Sequence, residues 1–200
     1  MPEIIRTERA QALWAKESTF GTPVTPNKRF GIHDTLVAPD PEYRWQSNFG
    51  VGSQTRNRQS ILRGPQDFRG SIPDIRLQGN STTKSLMAQV FGRESASNIL
   101  EGISSTDGRI PSMTMQVGLR DTAHTAVLVR NYFGGKINRA TLSANEGEEL
   151  RLGLDEILFL GIKHNRSGVF GYDATVSAAS DPGFSSSGMF TFAGATILFG

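Results

Sequence analysis

Side chains that catalyse reactions or bind metals are few and widely spaced in this chain of 200 residues. None of the three histidines, His33, His124 and His164, is followed two to four residues later by a second ligand, the spacing that local metal motifs use. Cysteine is absent, which excludes disulfides, thiol catalysis and cysteine-ligated metals. The sequence therefore predicts no enzyme activity, no metal site and no bound cofactor.

Two short motifs share residue types with enzyme sites but lack the full pattern. Gly134-Gly135-Lys136 is similar to part of a phosphate-binding loop. Arg130, however, occupies the required first glycine, and Ile137 replaces the metal-binding Ser or Thr. We therefore interpret this motif as a hairpin turn. Asp155 and Glu156 could supply acid–base carboxylates. Adjacent residues of a strand point to opposite faces, which favours solvated charge instead.

The composition limits the possible classes of protein. Hydrophobic residues make up 37% of the chain, which also has 22 glycines, so we expect a lean core and many turns. No apolar run approaches the ~20 residues of a membrane span. The amino terminus lacks the basic-then-apolar pattern of a secretory signal. The net charge of +2 indicates no particular class of partner.

Alternation of polar and apolar residues predicts a β meander between residues 111 and 160. A period of two places every second side chain on one face, so the meander has one apolar and one solvated face. The predicted strands cover residues 30–37, 112–117, 125–133, 136–142, 149–155, 169–178 and 188–199. The chain is thus expected to be one mainly β domain spanning residues 1–200, with its meander over residues 111–199.

Other segments have weaker signals. Residues 81–91 predict a short helix that Ser81, Thr82 or Thr83 caps and Gly92 ends. Residues 39–79 form the least regular stretch, which we interpret as an arm or loop. Residues 4–16 predict either an amphipathic helix or an extended arm. The last predicted strand runs to the final residue, so either neighbours hold it or the chain is part of a longer product.

Charge is distributed unevenly along the chain. Residues 43–76 carry six arginines against two aspartates, a local charge of +4, with aromatic residues interleaved. Residues 146–156 carry five carboxylates against Arg151, a local charge of −4. Arginines with aromatic residues are typical of nucleic-acid sites and of protein interfaces. Two opposite patches favour head-to-tail association of copies, although an ordinary solvated surface has the same pattern.

Four segments, in this order, resemble the tail tube proteins (major tail proteins) of long-tailed bacteriophages. Residues 17–24, ESTFGTPV, resemble the family's amino-terminal turn of glutamate, Ser/Thr, aromatic and Gly-Thr. Residues 111–118 resemble its "Pro-Ser, alternating strand, Gly" element. Residues 132–144, YFGGKINRATLSA, are similar to its hairpin, and residues 192–197 are similar to a late strand. Many similar proteins continue beyond this strand.

The resemblance implies a fold, an assembly and a set of partners. It implies a β-sandwich or barrel-like tail-tube fold with a short flanking helix and long arms. It implies hexameric rings that stack into a tube around a tape-measure protein, and a tube that later conducts the viral DNA. Tail terminator and tail-tip proteins are the further implied partners. The implied location is the virion tail, with the host cytoplasm before assembly and no membrane insertion by this chain.

Three elements are the predicted assembly contacts: the amino-terminal arm around residues 14–22, the basic loop of residues 43–76 and the 132–142 hairpin. Arg56, Arg58 and Arg69 are expected to contact carboxylates such as Glu146, Glu148 or Glu149 of another copy. A basic channel wall would retain DNA, so most arginines of residues 43–76 are expected away from the lumen. The candidate interface residues are Trp14, Phe20, Arg56, Arg58, Arg69, Tyr132, Lys136, Glu146, Glu148 and Glu149.

Three other classes of protein are compatible with the sequence. Another ring-forming tail component, such as a tail terminator or a secretion-type tube, has the same implied fold and symmetry. A β-sandwich that binds a ligand would stay monomeric and need an aromatic platform, which two tryptophans and three tyrosines hardly provide. A nucleic-acid-binding protein using the basic loop would bind DNA with a strong salt dependence.

Overall fold

A computed structural model describes residues 11–49, 58–94, 100–101, 110–120, 126–168 and 170–191. The described ranges contain the strands β1 (Gln11–Lys16), β2 (Lys28–Arg29), β3 (Ile32–His33), β4 (Val37–Phe49), β5 (Arg58–Arg76), β6 (Arg93–Glu94), β7 (Leu100–Glu101), β8 (Met113–Arg120), β9 (Ala126–Ser143), β10 (Arg151–Phe159) and β11 (Gly161–His164). They also contain the helix α1 (Ser81–Phe91). The predicted mainly β fold with one short helix is confirmed.

Nine strands form one antiparallel sheet that curls into a half-barrel. Its order is β2-β1-β8-β9-β10-β5-β3, with β11 also paired to β9 and β4 to β5. The short strands β6 and β7 pair separately beside the helix. The predicted meander is confirmed as the central ladder, because β8, β9 and β10 are consecutive in the chain and adjacent in the sheet.

The strand β9 belongs to both halves of the curled sheet. Its first half pairs with β8 and β11, and its second half pairs with β10. The hairpin turn predicted at Gly134-Gly135 is wrong, because the chain continues through these residues as one strand. Between the pairs Met115↔Tyr132 and Met113↔Gly135, β9 has one residue more than β8. This bulge places Gly134 at φ 66°, a conformation that glycine adopts at little cost, and it redirects β9 towards β10.

The segment predicted to be irregular, residues 39–79, is instead mostly extended. The strands β4 and β5 pair with each other over most of their length. Prolines interrupt the alternation of polar and apolar residues by which a strand is predicted, and two of them lie at register shifts of the ladder. Pro39 lies between the pairs Val37↔Ser71 and Asp40↔Arg69, and Pro65 lies between Tyr43↔Gln66 and Trp45↔Arg63. Proline is tolerated at such bulges because it has no N–H to donate.

The far part of this pair is a two-stranded ribbon. The strand β10 pairs with β5 from Phe68 to Arg76, whereas residues 58–67 pair with β4 alone among the described strands. Ten residues at about 3.3 Å each extend roughly 33 Å. A two-stranded ribbon is marginally stable without further packing. We refer to residues 42–49 and 58–67 as the ribbon.

The helix α1 has the predicted bounds but a different cap. Asn80, not Ser81, Thr82 or Thr83, is the N-cap, and its side chain accepts a hydrogen bond from the Thr83 N–H at 2.8 Å. The Thr83 hydroxyl instead accepts from the N–H of Gln78 at 3.3 Å. Gly92 ends the helix as predicted, since its N–H donates to the Ala88 carbonyl.

The core lies on the inner face of the curled sheet. Trp14 and Tyr132 are fully buried there, with Trp14 against Phe30 and Tyr132 against Phe159 at centroid distances of 6.1 and 5.5 Å. The helix contributes Leu86, with Met87 and Val90 packed beside it. These three apolar side chains attach the helix to the core of the sheet.

The remaining strand predictions have mixed outcomes. Residues 11–16 are extended, in agreement with the arm alternative, whereas residues 4–10 lie outside the described part. The predicted strand 30–37 is wrong in its bounds, because Gly31 at φ 106° separates β2 from β3. The predicted strand 169–178 is also wrong, since residues 170–178 form turns and irregular backbone. Met189 and Thr191 form isolated bridges with Gln78 and Glu149, and residues 192–199 are outside the described part.

Side-chain amides replace a strand ladder in the carboxyl-terminal segment. Gln116 donates to the Ser177 carbonyl at 3.0 Å and accepts from the Ala179 N–H at 2.8 Å. Gln78 donates to the carbonyls of Ser185 and Ser187 at 3.3 and 3.1 Å. Both glutamines are buried, so they satisfy backbone groups of a segment that makes no continuous ladder.

Candidate assembly surfaces

A buried carboxylate holds the amino-terminal turn against the bend of β9. Glu17 is 4% exposed, and its Oε1 accepts hydrogen bonds from the Thr114 hydroxyl and the Gly134 N–H, both at 2.8 Å. Its Oε2 accepts from the Gly21 N–H at 3.0 Å. These three donors compensate for the loss of water around the carboxylate. The turn formed by residues 17–22 is therefore fixed to both β8 and β9.

Glycines allow close packing at this junction. A Cβ at Gly134 would lie 2.7 Å from Leu160 Cβ, and a Cβ at Gly21 would lie 2.9 Å from Leu160 Cδ2. A Cβ at Gly161 would lie 2.7 Å from Phe133 Cζ. No side chain larger than hydrogen fits at these positions without displacement, so Leu160 and Phe133 can pack this closely only because the three residues are glycines.

The same junction presents an apolar surface with one cation, which we call the Phe20 corner: Phe20, Lys136, Leu158 and Leu160. Phe20 is 53% exposed and Leu160 is 57% exposed. Lys136 Nζ lies 4.5 Å from the centroid of the Phe20 ring, a cation–π contact. Leu158, also exposed, is the partner of Lys136 on the neighbouring strand. An exposed apolar cluster beside a charge is typical of a protein contact site.

The connection between β9 and β10 is exposed and acidic. We call residues 142–148 the acidic turn, and all of them are exposed. The segment carries Glu146 and Glu148 and begins with Leu142, which is 50% exposed. Asn145 shapes it, since its Nδ2 donates to Glu148 Oε2 at 2.8 Å and its carbonyl accepts from the Glu148 N–H at 3.0 Å.

Part of the predicted basic patch pairs with the acidic patch within one chain, because β5 and β10 are neighbours. Arg69 Nη1 lies 3.2 Å from Glu156 Oε1, and Arg76 Nε lies 3.4 Å from Glu149 Oε2. Arg151 likewise lies 3.3 Å from Asp74. These intrachain pairs account for charge that the sequence assigned to contacts between copies.

The adjacent carboxylates of β10 lie on the same exposed side, contrary to the alternation expected of a regular strand. Leu154 and Ile157 are fully buried, and the ladder shifts register between them. Asp155 therefore accepts from the Thr141 hydroxyl at 2.6 Å, while Glu156 accepts from Asn138 Nδ2 at 2.5 Å. Both carboxylates are bound by side chains of the neighbouring strand, in agreement with a structural role.

The structure brings some predicted contact residues together and separates others. Phe20 and Lys136 meet at the Phe20 corner, and Glu146 and Glu148 share the acidic turn. Trp14 and Tyr132 are fully buried, so they are core residues and present no contact surface. Arg56 lies outside the described residues, and Arg58 begins β5 with its side chain outside the described part.

Sequence reasoning missed the residues that organise the junction. Glu17 was noted only within its motif, yet its partners Thr114 and Gly134 are 97 and 117 residues away. Leu160 was predicted only as the last residue of the 111–160 meander. The sequence feature that could have indicated this contact was the glutamate of the 17–24 motif together with the Gly-Gly pair of the 132–144 motif.

The two histidines in the described part of the chain, His33 and His164, lie at hydrogen-bond distance from backbone groups. His164 is buried, with Nε2 2.7 Å from the Phe170 carbonyl and Nδ1 accepting from the Arg166 N–H. His33 Nδ1 lies 3.0 Å from the Gly31 carbonyl, and His124 is outside the described residues. Within the described ranges, no cluster of three or more His, Cys, Asp or Glu could hold a metal ion. No helix in the same ranges has the length and hydropathy needed to cross a bilayer.

No family model and no curated protein matches this chain. Among solved structures, a chain of the anti-feeding prophage baseplate, reconstructed with six-fold symmetry, is 9% identical to this chain. The alignment covers 82% of this chain and 97% of that one, with a TM-score of 0.50. The two chains therefore share a fold.

Two other solved structures show weaker similarity. A chain of the SPP1 tail tube is 12% identical, with a TM-score of 0.45 over 90% of this chain and 98% of that one. A type six secretion system protein is 9% identical, with a TM-score of 0.32 over 74% of this chain and 76% of that one.

Proposed function

We propose that this chain is a structural, non-enzymatic tail subunit that assembles into stacked hexameric rings and forms the tail tube of a bacteriophage. The observation that carries the proposal is the fold shared with a chain of the six-fold baseplate, over 97% of that chain. The segments that resemble tail tube proteins support it, since two of them, residues 17–24 and 132–144, meet at the Glu17 carboxylate.

Open strand edges support assembly. The curled sheet ends in the short strands β2 and β3, and β4 pairs with β5 alone among the described strands. Exposed edges usually promote aggregation unless they are protected or paired. Adjacent subunits of a ring would pair such edges and convert them into a continuous wall.

The ribbon supports contacts beyond one subunit. Its two strands, of eight and ten residues, lack a third strand in the described part of the chain, so a neighbouring subunit or ring is the surface that would stabilise them. Arg58 begins β5 at one end of the ribbon, and Arg56 lies outside the described residues. In this proposal their charges form contacts between copies and not the lining of the channel.

The proposed assembly has specific partners. A tape-measure protein and later the viral DNA occupy the lumen, and terminator and tail-tip proteins bound the tube. The protein resides in the virion tail, and in the host cytoplasm before assembly.

Negative-stain electron microscopy of the purified protein across a concentration series tests the proposal. Stacked rings with a central channel are the expected result, and their number should rise steeply above a threshold concentration. A monodisperse monomer at the highest attainable concentration would contradict the proposal.

A second ring-forming role has one observation in its favour. The chain that shares the fold belongs to a baseplate structure. A baseplate or terminator ring would assemble once and stop, so the micrographs would show single rings without stacks.

A further inference from the structure

We propose that the Phe20 corner of one copy binds the acidic turn of the next copy, and that this contact closes the ring. The inference rests on the proposed function and identifies the surfaces that would meet. In this proposal Lys136, and not the arginines of residues 43–76, is the ion-pair partner of Glu146 and Glu148 in the next copy.

The Phe20 corner is preorganised for binding. Glu17 fixes the turn that carries Phe20, and the glycine backbone fixes Leu160. More than half of each of these two side chains is exposed in the isolated chain. A rigid apolar anchor loses little conformational entropy on binding, which is how a few residues come to dominate an interface.

The acidic turn complements this corner in charge and in apolar character. Glu146 and Glu148 would face Lys136, and the exposed Leu142 would cover part of the apolar surface. Within the described part of the chain no ion pair involves Lys136, Glu146 or Glu148, whereas Glu149 and Glu156 are already paired with arginines. The charges of the acidic turn are therefore available to another molecule.

The two surfaces cannot meet within one copy. Lys136 and Leu142 lie on the same strand, β9, about 20 Å apart at about 3.3 Å per residue. A contact between different surfaces of identical copies is heterologous, and repeating it with a rotation closes a ring. The corner and the turn thus give each subunit two binding surfaces, one at the bend in the middle of β9 and one at its carboxyl end.

Charge reversal with mixing tests this pairing. One variant carries Lys136→Glu, and a second carries Glu146→Lys with Glu148→Lys. Each alone places like charges at every contact, so we expect the threshold concentration for rings to rise about tenfold or more. In an equimolar mixture, each variant's corner meets the other variant's turn with opposite charge. We therefore expect the mixture to form rings with alternating subunits, which an even-numbered ring permits.

A matched control and a fold measurement complete the experiment. Arg166→Glu makes the same change of charge at an exposed residue just after β11, whereas Leu160 lies just before this strand. Because Arg166 is outside both proposed surfaces, this variant should leave the threshold concentration unchanged. Circular dichroism and thermal unfolding should show that all variants are folded. Phe20→Ser should also prevent rings, and no charge-reversed partner should rescue it.

The outcomes separate the two proposals. If the wild-type protein forms rings but the mixture of charge-reversed variants does not, the pairing is wrong and the proposed function stands. Unchanged ring formation by Lys136→Glu alone would also overturn the pairing. If the wild-type protein never forms rings, both proposals fail.

Discussion

At the scale of single residues, Glu17 connects three parts of the chain that are remote in sequence. Its carboxylate binds the amino-terminal turn, the hydroxyl of β8 residue Thr114 and the backbone of β9 at Gly134. Thr114 Oγ1 in turn accepts from the Val24 N–H at 3.1 Å. Loss of the Glu17 carboxylate would leave three donors without their acceptor. The free energy cost of such unpaired groups exceeds the net contribution of the hydrogen bonds themselves.

Replacement of Glu17 by Ala should lower the free energy of unfolding by about 2–4 kcal/mol, because buried N–H and O–H groups lose their acceptor. Urea or guanidinium unfolding measures this change. Glu148→Ala, at an exposed residue, is the control and should stay within about 0.5 kcal/mol of the wild type. Equal stability of Glu17→Ala and the control would show that the network contributes nothing.

Gly134 and Gly118 provide a matched pair of glycines within strands. Gly134→Ala forces a Cβ to within 2.7 Å of Leu160 Cβ at a positive φ, whereas a Cβ at Gly118 meets nothing within 4 Å. We expect Gly134→Ala to destabilise the fold by roughly 1–3 kcal/mol and Gly118→Ala to be neutral or slightly stabilising. Thermal unfolding of the two variants checks this, and similar melting temperatures would argue against a constrained bend.

Asp173 gives the fold a defined acid sensitivity. Hydrogen bonds from the Thr175 hydroxyl, then the Thr175 N–H and Lys163, lower the pKa of Asp173 from 3.8 to about 2. A lowered carboxyl pKa contributes stability above the unfolded-state value, and this contribution is lost as the pH falls from about 4 to 2. Asp173→Asn should therefore flatten the decline in the urea midpoint over that pH range. An unchanged slope in the variant would rule out this assignment.

At the scale of secondary structure, local signals determined which elements could be predicted. The helix was found with its bounds because Gly92 ends it and apolar residues recur on one face. The meander was found because alternation continues through β8, β9 and β10. The strands β4 and β5 were missed because Pro39, Pro65 and other turn residues interrupt the pattern, while the register shifts that accommodate them depend on the partner strand. The Phe20 corner could be predicted only in part, since Glu17 binds Gly134 across 117 residues.

The ribbon carries an element-scale prediction. Arg58→Glu should impair stacking of rings into tubes and leave the monomer folded, because residues 58–67 pair with β4 alone among the described strands. Sedimentation and electron microscopy distinguish stacked tubes from single rings. The control is again Arg166→Glu, which makes the same charge change on an exposed turn. Tubes of normal length from Arg58→Glu would remove this arginine from the stacking contact.

At the scale of the molecule, an open half-barrel with complementary surfaces at the middle and the carboxyl end of β9 is suited to closed, repeated assembly. Opposite charges within the β5–β10 pair are satisfied inside the chain. The Phe20 corner and the acidic turn are left for other copies.

The most direct test of the account is a cryo-electron microscopy reconstruction of the assembled protein. We predict six copies around a central channel, the Phe20 corner covered by the acidic turn of the next copy, and the ribbon against a neighbouring subunit or ring. Assemblies without a channel, or a protein that remains monomeric under all conditions, would contradict the proposed role as a tail tube subunit.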